Sequence, residues 1–306
     1  MPEALARMTA LAPATLDASQ RRTRDCMIDR FATAAAESND STLAAPVGAV
    51  LQAFRHYWTT ALMKRASLER AEATLSANLG NILDLRGSGI DAQTEAAVRM
   101  AESHGLHALG GVTAPLHEFM LWRQQATQRE TVALVGGTVD IQVTMLDGFV
   151  SLGWAAWGTC ERSHTGGWAT TDGIMVVAPA WQLDSEEFLV SLLAHEAQHF
   201  SDYRSYPKLA APDLEYRAKL VELALANQTQ RALLEQFTSD AKRDRTLPHP
   251  FANYWVIEHL RTRLGSTSWD AITTLSVRTA ATAELAAHSV ALDARGRDSV
   301  ATALPD

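Results

Sequence analysis

The chain predicts an α+β protein: a mainly helical N-terminal region, a small and mainly antiparallel sheet packed on one helix, and a C-terminal helical bundle. Three observations carry that expectation. Apolar residues recur at three-to-four spacing early in the chain, most clearly at Val50, Leu51, Phe54, Trp58 and Leu62. The period then switches to strict alternation in Val139-Asp140-Ile141-Gln142-Val143-Thr144-Met145. After Pro179 the helical spacing returns and persists. With 306 residues, 47% hydrophobic and 20% charged, the chain can build one large domain or two modest ones around a substantial core. The boundary is expected between a helical region, 1–130, and a second region, 131–306.

Each element has a local reason. From Leu16 to about Arg129 the pattern is helical, with Ala66 to Leu83 as one run that Arg86-Gly87-Ser88-Gly89 breaks. A helix from about Ala92 to Ser103 stops at Gly105, and another is expected from Pro115 to about Gln128, capped by Thr113. The alternating strand follows, with Asp147-Gly148 as a hairpin turn and Phe149 to Trp157 as the returning strand. Val132 to Val135 is a candidate extra strand, and Ile174 to Val177 a further one. Asp184 and Glu187 form a capping-box pair for a helix reaching about Tyr203. Pro212 suits the first position of a long helix, about Asp213 to Phe237, and helices near Asn253–Leu264 and Ser268–Leu292 complete the bundle.

Composition excludes several function classes. Lys+Arg 27 against Asp+Glu 35 gives a net charge of −8, without the basic footprint that nucleic acid requires. No apolar run approaches the ~18–20 residues of a membrane span. Cys26 and Cys160 allow at most one bridge, and spacing alone leaves their pairing open. The N-terminus is a poor secretory signal, which makes a cytoplasmic location the default and leaves export open. Oligomeric state is not legible.

One constellation carries chemistry: Ala194-His195-Glu196-Ala197-Gln198-His199-Phe200. His195 and His199 stand four residues apart, so in a helix both imidazoles leave one face and can bind one Zn²⁺. Glu196 is rotated about 100° from His195 and reaches a metal-bound water without ligating the metal. With 10 His and 17 Glu, such a pattern arises by chance roughly 2% of the time. Phe188, Leu189, Leu192 and Leu193 mark the helix as buried. A catalytic zinc needs a third ligand, and Glu215 and Glu222, seven residues apart on the next helix, are the candidates. Glu215 is favoured, because the loop from Tyr203 to Pro212 reverses the chain and sets Glu215 beside the motif.

His195-Glu196-x-x-His199 with a helix-borne glutamate downstream resembles the zincin metallopeptidases of the gluzincin type. That resemblance covers about Val132 to Phe237. It implies a zinc-dependent hydrolase cutting peptide bonds of a peptide or protein substrate. Zn²⁺ would be held by His195, His199 and Glu215, with Glu196 as general base. A zinc hydrolase on a non-peptide amide or ester, or a non-catalytic metal-binding interaction protein, would share the ligands. Asp202, on the motif helix face, is a candidate partner for a ligand imidazole. Ile174 to Ala178 resembles the zincin edge strand. His249 and Tyr254 are candidate donors to a developing oxyanion.

Overall fold

A computed structural model describes residues 1–32, 42–170, 172–266 and 268–306, and the chain is α+β as expected. The expected helical pattern over 33–41 lies outside the described residues. Two compact units form, Met1–Gln125 with Leu146–Thr165 and Ala126–Met145 with Gly166–Asp306. The chain therefore passes between them three times instead of once near 130. The strands β2 (Leu116–Leu134) and β3 (Gly137–Leu152) each belong to both.

The first unit contains α1 (Pro2–Ala10), α2 (Ala18–Phe31), α3 (Ala45–Leu62), α4 (Leu68–Ile82), α5 (Ile90–Ser103), β1 (His107–Thr113) and α6 (Trp154–Thr159). The α3 stripe Val50, Leu51, Phe54 and Trp58 is buried, as its spacing predicts. Phe54 stacks on Phe119 of β2 with ring centroids 4.8 Å apart, and Trp58 donates its indole N–H to the His117 carbonyl at 2.8 Å. A disulfide joins Cys26 to Cys160.

Two expectations fail here, the first because short apolar runs fit a helix or a strand equally well. The segment expected as a helix from Pro115 to Gln128 is the first part of β2. Thr113 does not cap it but pairs with Leu116 across the Ala114-Pro115 turn. Phe119-Met120-Leu121-Trp122 is buried throughout, which a covered strand allows. The turn expected at Asp147-Gly148 lies inside β3, where Gly148 takes a positive φ of 65° and its N–H bonds the Asp147 carboxylate. The reversal comes at 135–136 instead, and the chain leaves β3 into α6.

The second unit adds β4 (Gly167–Ala169), β5 (Gly173–Val177) and a π-helical segment, Glu187–Ala194. That segment runs directly into α7 (His195–Ser205). Then follow α8 (Ala211–Leu225), α9 (Gln230–Asp240), α10 (Pro248–Leu264) and α11 (Thr274–Arg295). Strand order is β1-β2-β3-β5-β4. Ile174 to Val177 is thus an interior strand between β3 and β4, and the edge is β4. Ile174, Val176 and Val177 are wholly buried, as an interior position demands. Among the described residues no helix is long and apolar enough to cross a membrane.

The helix expected from Asp213 to Phe237 breaks into α8 and α9 around Glu186. Its carboxylate accepts the backbone N–H groups of Asn227, Gln228 and Thr229 and the Thr229 hydroxyl, at 2.7–3.1 Å. The expected capping box at Asp184 gives way to the neighbouring Ser185, whose hydroxyl accepts the Phe188 N–H. Burial would raise the Glu186 pKa, but these donors outweigh it and hold it at about 2. A carboxyl depressed below its unfolded value of about 4.3 adds stability above that pH and loses it as pH falls toward 2. Glu186→Gln should cost roughly 1 kcal/mol at pH 7, allowing for solvent screening. In thermal melts the gap to the parent protein should close between pH 5 and pH 2; a constant gap would mean that the charge does not act.

Candidate metal centre

The motif helix inherits its position from the π-helical segment before it. There the His195 N–H still bonds the Val190 carbonyl five residues back, and Phe188, Val190, Leu192 and Leu193 are buried. This anchored base presents His195 and His199, both 7% exposed, toward α8.

Glu215 meets them from α8. The two Nε2 atoms lie 3.1 Å apart, Glu215 Oε2 is 3.4 Å from His195 Nε2, and Glu215 Oε1 is 3.4 Å from His199 Nε2. A tetrahedron with metal bonds of about 2.0–2.1 Å has edges of about 3.3 Å. Each imidazole thus faces a different Glu215 oxygen near that edge length, and one donor atom from each of the three residues lies within 4.8 Å of the others, a group that could hold a metal ion.

Glu222 is placed behind the ligands. Its Oε1 lies 2.7 Å from His195 Nδ1. Because Glu215 and Glu222 are seven residues apart on α8, they approach opposite nitrogens of one imidazole. A proton on Nδ1 shared with Glu222 leaves the Nε2 lone pair directed into the cluster. Burial lowers the His195 pKa, but the hydrogen bonds and charges of Glu215 and Glu222 outweigh it and carry it up to about 10. Burial likewise opposes ionisation of Glu215, yet contacts with His195, His199 and His249 hold it far below the usual carboxylate range. A metal entering this set displaces the imidazole proton.

The remaining candidates are sorted by the packing. His249 is not a loop residue: it sits in the first turn of α10 between two prolines, 64% exposed at its side chain. Its Nδ1 is 2.8 Å from Glu215 Oε2, and its ring stacks near that of His195 at 6.5 Å. Tyr254, on the same helix α10, packs edge-on to Trp255 at 5.1 Å. Asp202 does not serve an imidazole. It is buried against α8, where it accepts from Gln198 Nε2 at 2.8 Å and Arg217 Nε at 2.9 Å. Tyr203, 47% exposed, lies further along the motif helix. It stands seven positions after Glu196 and four after His199 on the same side of α7, and burial with the charges of Glu196 and Glu215 raises its pKa.

No family model, curated protein or solved structure matches the chain. Metal titration tests the geometry directly. Glu215→Ala should weaken Zn²⁺ binding more than ~100-fold, whereas Glu222→Gln should weaken it ~10–100-fold through the misdirected His195 ring. Equal, negligible losses in both variants would refute the assignment.

Proposed function

We propose that the protein is a zinc-dependent metallopeptidase. The observation that supports this reading is the convergence of His195, His199 and Glu215, with one donor atom of each within 4.8 Å of the others and Glu196 next to them on the motif helix. Two imidazoles and one carboxylate form the ligand set of a catalytic zinc site, which leaves a fourth position for water or substrate. When bound, zinc supplies a Lewis acid that polarises a carbonyl and lowers the pKa of a water toward ~7.

The chain's own residues do the rest. Glu222 holds the His195 ring in one tautomer from Nδ1. His249 adds a further imidazole beside Glu215, its Nδ1 2.8 Å from Oε2. Glu196, half-buried and free of the ligand set, accepts a proton from the attacking water and passes it to the departing nitrogen. Tyr203, whose phenol stays protonated at neutral pH, is a donor for negative charge developing on the carbonyl oxygen.

Glu196→Gln separates the enzyme from a metal-binding protein. Purified protein should carry one zinc per chain, and the variant should keep it while turnover on a peptide library falls at least ~10²-fold. Tyr203→Phe should lower kcat more than it raises KM. Undiminished turnover in Glu196→Gln, measured on preparations of known zinc content, would sink the mechanism.

A further inference from the structure

A second cavity borders the flank of α7 turned away from Glu196. Its volume is about 380 Å³, within the ~300–1,000 Å³ of small-molecule sites, and this open cleft is lined by the β2–β3 turn, α7, α8 and α11. Among the described residues its charged wall is Arg217, whose side chain is buried to 5% exposure. The guanidinium donates from Nε to Asp202 Oδ1 at 2.9 Å and from Nη1 to Ser289 Oγ at 3.0 Å. No acceptor among the described residues takes Nη2. Arg217 lines this space, so an acceptor entering it would gain a charge-assisted hydrogen bond.

The other walls define that acceptor. Leu134, Val135 and Leu285 give one apolar wall, Gln198, Ser201 and Thr282 bring polar groups, and no carboxylate lines the space. One cationic pole beside a short apolar wall suits a small amphiphile with a negative head. An amine would be repelled by Arg217, and inorganic phosphate would leave the apolar wall uncovered. We propose that this cavity binds a short aliphatic monocarboxylate, with its head on Arg217 Nη2 and Ser201 and its chain against Leu134, Val135 and Leu285. The site backs onto the metal cluster, since α7 and α8 serve both, but it needs no metal and does not rest on the peptidase reading.

Isothermal titration of hexanoate into the full chain tests this, with hexylamine and phosphate as comparisons. One saturable hexanoate site per chain is expected, with both comparison compounds at least tenfold weaker. Ala286→Trp and Thr282→Trp, at exposed wall positions of α11, should abolish binding without touching the Arg217 network. Arg217→Gln should weaken it at least tenfold; if that variant does not fold, the two tryptophan variants decide. Three results would overturn the proposal. They are no saturation, hexylamine binding equal to hexanoate, or parent-like hexanoate binding in both tryptophan variants, which would put the carboxylate elsewhere, such as on the metal ligands.

Discussion

Burial of charge on α8 organises the second unit. This helix is covered on all sides and carries Asp213, Glu215, Arg217, Lys219 and Glu222, four of them below 8% exposure. An unpaired charge in such a place costs several kcal/mol, so each must find a partner from a neighbouring element. Asp213 takes His288, the Thr302 hydroxyl and the N–H groups of Ala303 and Leu304. Arg217 takes Asp202, Lys219 lies 4.4 Å from the Phe237 ring centre, and Glu222 takes His195. Glu215 faces three imidazoles.

The candidate site follows from that pairing. Asp213 fastens the first turn of α8 to the C-terminal segment, two residues before Glu215, so chain ends far apart in sequence set where the carboxylate stands. From the other side, the π-helical segment sets the azimuth of α7. Its wider winding is absorbed by buried apolar residues, and π-helical insertions of this kind are found mostly at functional positions. The imidazoles and the carboxylate are thereby held at their separations by packing, which is what a preformed ligand set requires.

Motif reading recovered the parts of the site that lie within one turn of helix. His195, Glu196 and His199 could be placed from spacing alone, because a helix fixes which side chains share a face. Glu215 was favoured over Glu222 by the length of the reversing loop, and the cluster holds Glu215 with His195 and His199 while Glu222 orients a ring. Arg217 and Lys219 are charged residues of a helix that is surrounded, and both are buried. Amphipathic period cannot reveal this, since a helix buried all round need not show one. The apolar run at Phe119 to Trp122 misled in the same way, because burial on both faces erases the alternation that marks a strand.

By itself the sequence determined what depends on neighbours in the chain. It settled the α+β class, the α3 core stripe, and the common face of His195 and His199, but it put the switch to strand near residue 131, whereas β1 already begins at His107. Tertiary structure decided what depends on distant partners. It set β5 in the interior of the sheet, broke the long helix at the turn that Glu186 holds, joined Cys26 to Cys160, and gave Asp202 to Arg217 and His195 to Glu222. The physical reason is that helix and strand periods are local geometry. The partner of a buried charge is chosen by which elements pack together, and that choice is not written in spacing along the chain.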